Sequence, residues 1–275
     1  MRPSILVAVH GAAGRMGQAI LRTLIGREDI ELVAALVRSG SDLSGRLLAA
    51  TLGARAPAIA YTSSLRADLM PAVLIDFSVA AAFDRALACA VDRKMAFVSG
   101  TTGLTAKQRA ALDSAAASIA VLWSANFSLG VALLARLVAE AARSLPDWDC
   151  EIVEAHHNRK QDAPSGTALA LGREVASARD QDFDAVAKFS HVGVNAPRAP
   201  DSIGFSVTRA GDIVGEHTVM FATQGERIEL VHRVTDRDIF ARGAVAAAHW
   251  IAARPPGKYA LADVLAGDPS QVSDA

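Results

Sequence analysis

Residues 4–25 read SILVAVHGAAGRMGQAILRTLI and decide the first unit of the fold. The stretch opens with a short, continuously apolar run of the kind that forms a buried strand, and it closes with apolar residues at helical spacing. Gly11, Gly14 and Gly17 stand between the two halves, where a backbone without Cβ atoms can turn tightly. The stretch therefore predicts a strand, a glycine-rich turn and a helix, in that order.

Short apolar runs continue to alternate with segments of helical period as far as residue 124. This alternation is the pattern of βαβ units that form a parallel sheet. Because the runs are continuously apolar, both faces of the sheet are expected to be covered. The predicted strands are 4–9, 31–37, 72–77, 95–99 and 119–124, and the predicted helices between them are 15–26, 79–92 and 105–117.

The character of the chain changes after Asn126. A long apolar-rich helix over 128–144 leads into a strand over 150–155, and a polar loop without regular structure is expected from residue 154 onward. Three strand-like runs then lie within 203–234, separated by AGD and QGE turns that suit hairpins. These features predict a second domain built on a mixed or antiparallel sheet.

Helical spacing returns over 236–252, and the last residues, 267–275, have little to bury and are expected to fray. The predicted fold class is α/β, with a Rossmann-type doubly wound parallel sheet and a second α+β domain whose sheet is mixed and largely antiparallel. The expected dinucleotide-binding domain combines 1–126 with 237–275. The expected substrate-binding and oligomerisation domain is 127–236.

Composition limits the function classes. The 275 residues are 51% apolar and 21% charged, with 28 basic against 29 acidic residues, which is typical of a globular enzyme rather than a disordered chain. The near-neutral balance gives no electrostatic reason to expect a nucleic-acid partner. The apolar start is too short to span a bilayer and is interpreted as a strand, not a signal.

The two cysteines, Cys89 and Cys150, lie far apart in apolar surroundings and in no CxxC pair. Buried, reduced thiols are therefore expected rather than a disulfide or a metal site, and a reducing cytoplasm is the simplest compartment.

The glycine turn has the chemistry of a dinucleotide site. Its backbone can approach a pyrophosphate, which then meets free N–H groups and the positive end of a helix dipole. A glycine turn without any ligand is the alternative, and Arg15 could contact a phosphate or could be solvated. The predicted cofactor-binding residues of this turn are Gly11, Ala12, Ala13, Gly14, Arg15 and Met16.

The end of the second strand bears on which dinucleotide is bound. NAD-binding folds usually place an Asp or Glu there to hold the ribose hydroxyls, whereas this chain has Val37 followed by Arg38. No carboxylate repels a 2′-phosphate, and a guanidinium is placed to bind one. NADPH is therefore predicted as the preferred cofactor, with NADH possible; a simple surface charge is the competing interpretation of Arg38.

Two further loops follow the fourth and fifth predicted strands and should lie at the carboxyl edge of the sheet, where ligands bind in open α/β folds. Their backbone and amide groups could hold a nicotinamide carboxamide, although ordinary turn residues are the default interpretation and Phe127 could equally belong to the core. The predicted cofactor-binding residues are Gly100, Thr101, Thr102, Ser124, Ala125, Asn126 and Phe127.

Residues 154–167, EAHHNRKQDAPSGT, place several potential cations next to a Ser that resembles a helix N-cap. The free N–H groups behind such a cap can hold a carboxylate, so the loop suits a small anionic substrate. A solvated basic turn is the alternative. Metal binding is not expected, because the adjacent histidines have no acidic or cysteine partner at ligand spacing.

The stretch EAHHNRKQDAPSGTA (154–168) resembles the signature of the 4-hydroxy-tetrahydrodipicolinate reductase, or dihydrodipicolinate reductase, family. The resemblance extends through most of the chain. The other motifs that carry it are GAAGRMG (11–17), IDFS (75–78), SGTTG (99–103), SANFSLGV (124–131) and RAGDIVGEHTVMFA (209–222).

The resemblance implies reduction of a small cyclic imine dicarboxylate by NADPH or NADH, with loss of water, in lysine biosynthesis through diaminopimelate. It implies that His156 is the acid/base residue and Lys160 a proton donor. It also implies that His157, Gly166 and Thr167 bind the substrate and that the enzyme is a homotetramer. Lys160, as a cation, and Ser165, at the predicted helix N-cap, are expected to bind the substrate as well.

The chain departs from the family at two positions. Ala13 stands where a further glycine is common, and Val37 stands where many members carry an acidic residue that binds ribose. Two other hypotheses remain at this point: a different NAD(P)-dependent amino-acid dehydrogenase, and a dinucleotide-sensing regulator without chemistry. Neither explains the paired histidines and the lysine.

Overall fold

The structure is a computed structural model that describes residues 4–189 and 197–266. The chain divides into two compact units, one made of Met1–Phe127 with Asp238–Ala275 and the other of Ser128–Arg237. None of the helices in the described residues is long and apolar enough to cross a membrane. The tail expected to fray, 267–275, lies outside the described residues.

The first unit opens with alternating strands and helices, as the sequence predicts. In chain order they are β1 (Ile5–His10), α1 (Arg15–Leu24), β2 (Ile30–Leu36), α2 (Ala49–Leu52), β3 (Tyr61–Thr62), β4 (Val73–Asp76), α3 (Ala80–Asp92), β5 (Ala96–Ser99), α4 (Ala106–Ala115) and β6 (Ala120–Trp123).

The second unit contains two long helices and a five-stranded sheet. Its elements are α5 (Leu129–Ser144), β7 (Asp149–His156), α6 (Gly166–Ala178), α7 (Phe183–Val186), β8 (Ala187–Lys188), β9 (Ile203–Arg209), β10 (Gly215–Thr223) and β11 (Glu226–Val234). The strand order is β11-β10-β7-β9-β8, with β7 antiparallel to β10 and parallel to β9. The predicted mixed sheet is confirmed.

The chain then returns to the first unit with α8 (Asp238–Ile251), β12 (Gly257–Tyr259) and a 3-10 helix (Leu261–Ala266). Seven strands in the order β12-β6-β5-β4-β1-β2-β3 form one sheet, and every pair in it is parallel. This confirms the predicted doubly wound sheet. The strand order reverses at β1, which lies between β2 and β4, and a crevice for ligands is expected at such a point.

The glycine turn between β1 and α1 depends on two glycines. Gly11 has a φ of +78°, and a Cβ built on it would lie 2.5 Å from the carbonyl oxygen of Phe77. A Cβ on Gly17 would overlap the carbonyl oxygen of Gly11 and the backbone of Ala12. These two positions therefore allow α1 to pack directly against the turn.

Each unit has its own apolar core. In the first, Leu74, Phe83, Phe97, Leu112 and Val121 are buried together between the sheet and its helices.

In the second unit, α5 and α6 cover one face of the sheet. Val138, Ile152, Leu171, Phe205 and Phe221 form the buried cluster there.

The opposite face of this sheet is left uncovered by the residues that the structure describes. Val153 and Val231 point away from the buried cluster and remain 38% and 40% exposed. Within the described part of the chain, the sheet is therefore packed on one side.

Two expectations about the second unit were wrong. The polar loop does not begin at residue 154, because β7 continues to His156, with Glu154 and His156 both buried. The polar side chains are compatible with a strand because they find partners on neighbouring elements. The AGD turn does not close a hairpin: β9 and β10 pair with opposite edges of β7, so only β10 and β11 form a hairpin.

Gly17→Ala is expected to lower the free energy of unfolding by about 1–3 kcal/mol, because the added methyl group must displace the backbone of the glycine turn. Gly14→Ala is the matched control. Its Cβ would lie 3.3 Å from the carbonyl oxygen of Gly11, and the expected loss is below about 1 kcal/mol. Urea unfolding of both variants measures the difference; equal losses would contradict this account of the turn.

Candidate active site

The first part of the candidate site is a cleft of about 530 Å³ at the carboxyl ends of the parallel strands. The glycine turn forms one wall of it. Among the predicted cofactor residues, the structure places Gly11, Ala13, Gly14 and Arg38 in the lining. Ala12 is buried beneath the turn, where its N–H donates to the carbonyl of Leu36 at 3.0 Å.

The region beyond β2 supplies polar groups that sequence reasoning missed. Ser39 and Ser41 line the cleft next to Arg38, and Arg85 of α3 lines it from another side. Arg38 is exposed, whereas Val37 before it is buried. The cleft is therefore lined by three arginines, Arg38, Arg85 and Arg93, and by several hydroxyl groups, a combination suited to a phosphate. No short-range pattern links position 85 to position 38, so Arg85 was not predictable from the sequence.

A buried carboxylate connects three strand ends below the cleft. Asp76, at the end of β4, is fully buried and accepts hydrogen bonds from His10 Nδ1 at 2.8 Å, Ser99 Oγ at 2.9 Å and Thr101 Oγ1 at 2.7 Å. Burial opposes the charge, but the hydrogen bonds, led by His10, hold the pKa of Asp76 below its ordinary value. The network fixes the carboxyl ends of β1, β4 and β5 relative to one another.

The two later loops lie at the carboxyl edge of the sheet, as predicted, but outside the lining of the cleft. Thr101 is buried, and its carbonyl accepts a hydrogen bond from Trp123 Nε1 at 2.9 Å. Ser124 Oγ donates to the carbonyl of Asn126 at 2.7 Å. The ring of Phe127 is buried against Phe77, with centroids 5.1 Å apart. The remaining predicted residues, which are Gly100, Thr102 and Ala125, are at least partly exposed, as are Arg15 and Met16 at the start of α1.

The second part of the candidate site lies in the other unit and is centred on the carboxylate of Glu154, which is 1% exposed. It accepts from His156 Nδ1 at 2.5 Å, from the backbone N–H of Ser165 at 3.0 Å and from both terminal nitrogens of Arg209 at 2.8 and 2.9 Å. Burial opposes ionisation, but the bonds from Arg209, His156 and Ser165 lower the pKa of Glu154 overall. Glu154 is therefore an ionised, fully hydrogen-bonded carboxylate.

Sequence reasoning missed Glu154. The usable signal was its spacing from His156, because residues i and i+2 of a strand point to the same face.

His217 of β10 is a further buried group beside this network. Its ring lies edge-on to that of His156, with centroids 5.2 Å apart, and its Nε2 is 3.1 Å from Ser165 Oγ. Burial, and then the nearby His156, lower the pKa of His217 to about 4. The ring is therefore neutral near neutral pH. Its Nδ1 has no hydrogen-bond partner in the described part of the chain, which suits an unprotonated nitrogen better than an N–H group.

His217 consequently carries its proton on Nε2 and donates to Ser165 Oγ. That oxygen, the N-cap of α6, also accepts from the N–H of Ala168 at 3.2 Å. With both acceptor positions used, the Ser165 hydroxyl has its own proton left to donate.

The other predicted substrate residues give this region a positive field. Lys160 Nζ pairs with both oxygens of Asp162 at 2.8 and 2.9 Å, and this bond lowers the pKa of Asp162. Desolvation and the surrounding cations, first Arg237 and then Arg159, lower the pKa of His157.

Gly166 is exposed, and a Cβ there would meet nothing within 4 Å. Its backbone N–H donates to the carboxylate of Asp162 and helps to lower the pKa of that group, so this end of α6 already binds one carboxylate.

The second part of the site can bind an anion and transfer a proton. Helix N–H groups, a serine hydroxyl and nearby cations attract carboxylates. His156, tied through Glu154 to the same helix end, has an imidazole that can accept and donate a proton. Together these groups match an acid/base reaction on a small carboxylated molecule.

Comparison with known proteins gives matches over almost the whole chain. Residues 5–127 match the family model for the N-terminal part of dihydrodipicolinate reductase, and residues 130–265 match the model for its C-terminal part. A 4-hydroxy-tetrahydrodipicolinate reductase of Alkalilimnicola ehrlichii is 46% identical over 94% of this chain and 98% of its own length. Another, of Thiobacillus denitrificans, is 45% identical over 95% of this chain and 98% of its own length.

A solved structure has the same fold. The dipicolinate-bound dihydrodipicolinate reductase from a Paenisporosarcina species has a TM-score of 0.76 over 94% of this chain and 99% of that chain, at 24% identity.

The buried His217 is expected to make folding sensitive to acid. Above pH ~6.5 the ring is neutral in both the folded and the unfolded chain. As the pH falls from there towards 4, the unfolded chain takes up a proton that the fold excludes, and the free energy of unfolding drops by up to roughly 3 kcal/mol. Urea unfolding at pH 8 and pH 5 measures this loss. His217→Gln, which keeps a donor for Ser165, should show a smaller one; equal losses in both proteins would contradict the assignment.

Proposed function

The chain belongs to the dihydrodipicolinate reductase family, and on that premise we propose that it reduces 4-hydroxy-tetrahydrodipicolinate to tetrahydrodipicolinate, with loss of water, in the diaminopimelate route to lysine. The observation that carries this proposal is the arrangement of His156 at the N-terminus of α6. There a proton-transfer group and a set of carboxylate-binding groups share the buried carboxylate of Glu154.

The substrate is a ring with two carboxylates, and the second unit offers groups suited to both. The N–H groups of Gly166 and Thr167 at the start of α6, with the Ser165 hydroxyl, suit one carboxylate. Lys160 and His157 suit the other. The cations that lower the pKa of His157 would also attract an incoming dianion. Lys160 would exchange Asp162 for the substrate, since that ion pair is solvent-exposed on the Asp162 side and costs little to break.

Proton transfer falls to His156 and Lys160. Reduction of the unsaturated ring leaves electron density that a proton donor must neutralise, and a donor held in place lowers the barrier. Nδ1 of His156 bonds to Glu154, so Nε2 is the atom that exchanges a proton with the substrate. The Lys160 ammonium both orients a carboxylate and supplies positive charge beside the ring.

The first unit fits a reduced nicotinamide dinucleotide, which supplies the hydride when bound. The fit rests on the glycine turn, where Cβ atoms at positions 11 and 17 would overlap backbone, so the chain passes close to the space that a pyrophosphate occupies in such folds. Gly11, Ala13 and Gly14 would hold the pyrophosphate. Asn126 and the neighbouring backbone at the carboxyl edge would hold the carboxamide.

NADPH is the proposed preferred form, with NADH possible. Arg38 at the end of β2 lines the cleft with Ser39, Ser41 and Arg85, and these groups suit a ribose 2′-phosphate. Val37 occupies the position at which a carboxylate would favour NADH, and it is buried. Both features favour the phosphorylated cofactor.

The enzyme is further proposed to act as a homotetramer in the cytoplasm. The uncovered face of the second sheet, with Val153 and Val231 exposed, supports association through this surface. The two free cysteines support a reducing compartment, and burial raises the pKa of Cys150 to about 12, so that its thiol is unreactive. Light scattering gives the assembly mass directly; a mass of a single 28.7 kDa chain would contradict the assembly.

The activity is tested by following NADPH absorbance while a synthase generates the hydroxylated ring from pyruvate and aspartate semialdehyde. NADPH should be consumed only when both precursors are present, and dipicolinate, a flat ring with two carboxylates, should inhibit. Tight NADPH binding without turnover would reject the reductase and favour a dinucleotide-sensing role.

His156→Ala and Lys160→Ala should differ in kind. Loss of His156 removes proton transfer, so kcat should fall by about 10²–10⁴-fold with little change in the KM for the ring. Loss of Lys160 removes a carboxylate contact as well, so kcat should fall and KM should rise. Steady-state kinetics in the coupled assay separate the two patterns; small, equal effects in both variants would misplace the chemistry.

Arg38→Ala should lower kcat/KM for NADPH by roughly 10–100-fold, the value of one charge-assisted hydrogen bond, and leave kcat/KM for NADH nearly unchanged. Arg109→Ala, an exposed arginine on α4 outside the cleft, is the control. Wild-type enzyme should prefer NADPH. A clear NADH preference, or equal losses with both cofactors, would remove Arg38 from phosphate binding.

A further inference from the structure

We propose that Glu154 is a positioning residue for the reaction: its carboxylate fixes the imidazole of His156 in one orientation and one tautomer and ties it to the N-terminus of α6. This inference rests on the proposed function, because it assumes that His156 transfers the proton. Glu154 itself does not touch the substrate in this scheme.

Every acceptor position of the Glu154 carboxylate is occupied. Oε2 accepts from His156 Nδ1 and from Arg209 Nη1, and Oε1 accepts from the Ser165 N–H and from Arg209 Nη2. Two oxygens with four acceptor positions thus meet four donors. Rotation of this carboxylate would break several hydrogen bonds at once. The carboxylate and its partners therefore hold one another in fixed positions.

Glu154 also determines the tautomer of His156. An ionised carboxylate only accepts, so His156 must carry a proton on Nδ1, and the neutral ring presents an unprotonated Nε2. Nε2 makes no hydrogen bond to any described residue. It lies next to Gly215 of β10, where a Cβ would stand 3.0 Å from it. The absent side chain at Gly215 keeps space open beside the nitrogen that exchanges the proton.

Glu154 is not itself the base, because Arg209 keeps it ionised. Arg209 is bidentate to it, and Arg209 also donates to the carbonyl of Asp162 at 2.7 Å, which anchors the guanidinium in the loop before α6. The positive charge keeps Glu154 ionised. When His156 gains its second proton, the ionised carboxylate stabilises the imidazolium without taking the proton.

Glu154 also links the acid/base group, His156, to the groups proposed to bind the substrate. Glu154 accepts from the N–H of Ser165, and Ser165 is the N-cap of the helix whose first N–H groups suit the substrate carboxylate. The distance from His156 to the bound ring is therefore set through one side chain. A displaced carboxylate would move both ends of this link.

Glu154→Gln is the direct test. An amide cannot accept from all four donors, so either His156 loses its Nδ1 acceptor or Arg209 faces an NH₂ group. The expected result is a fall in kcat of roughly 10²-fold, because a misprotonated histidine loses most of its general acid/base effect. The acid limb of the kcat/KM profile against pH should shift, while the Kd for NADPH stays unchanged. Glu174→Gln, an exposed carboxylate on α6, is the control.

A double variant separates positioning from a general structural role. In a His156→Ala background, Glu154→Gln should cause no further loss of kcat, because its effect passes through the missing ring. An undiminished further loss would overturn the inference. If Glu154→Gln does not fold, Glu154→Asp keeps the charge on a shorter side chain. It should bind dipicolinate and show a shifted pH profile; a wild-type kcat and pH profile in Glu154→Asp would overturn it equally.

Failure of the inference is distinguishable from failure of the proposed function. If His156→Ala lowers kcat but Glu154→Gln leaves kcat and the pH profile at wild-type values, only the positioning role is wrong. If His156→Ala retains full turnover, the assignment of the proton transfer is wrong as well. If wild-type enzyme turns over no ring substrate, the proposed function fails at its base.

Discussion

The second unit depends on one buried negative charge. Taking the carboxylate of Glu154 out of water is costly unless every acceptor position is filled, and four donors from three separate segments fill them. The charge thus determines where β7, β9 and the start of α6 lie relative to one another. The groups proposed for proton transfer and for carboxylate binding are held together by the need to keep this charge satisfied.

The first unit solves a similar problem with the same kind of group. Asp76 is fully buried at a strand end and accepts from the Nδ1 of a histidine, His10, as Glu154 accepts from the Nδ1 of His156. In the first unit the bonds hold three loops at the edge of a parallel sheet. In the second they hold a helix end. In both units a buried carboxylate stabilises a polar region that apolar packing alone could not order.

The fold was predictable from the sequence where burial leaves few alternatives. The continuous apolar runs at 72–77 and 95–99 correspond to β4 and β5 within two residues, because a strand covered on both faces must be apolar throughout. Strands β3 and β12 were not predicted, because two or three residues are too few to show the alternation of a strand. A hairpin was wrongly predicted at the AGD turn because turn preferences depend only on neighbouring residues. The position of β7 between β9 and β10 depends on residues far away along the chain.

The candidate site was only half predictable, for the same reason. The cations and the N-cap of residues 154–167 are visible as a cluster in the sequence. The role of Glu154 is not, since its partners Ser165 and Arg209 lie 11 and 55 residues away along the chain. His217 is similarly distant from Ser165, at 52 residues. Polarity at the end of β7 therefore suggested a loop, although Glu154 is buried there and accepts four hydrogen bonds.

The position of β7 in the middle of its sheet has a consequence for how such an enzyme can change over evolutionary time. The backbone of Glu154 and His156 pairs with β9 on one side and β10 on the other. A shift in the register of β7 would therefore disrupt the pairing of the whole sheet. Lys160 and His157, in contrast, lie just past the end of the strand, outside its pairing with β9 and β10. Recognition of a differently shaped acid can therefore be remodelled at position 157 while the strand pairing that holds Glu154 and His156 is inherited intact.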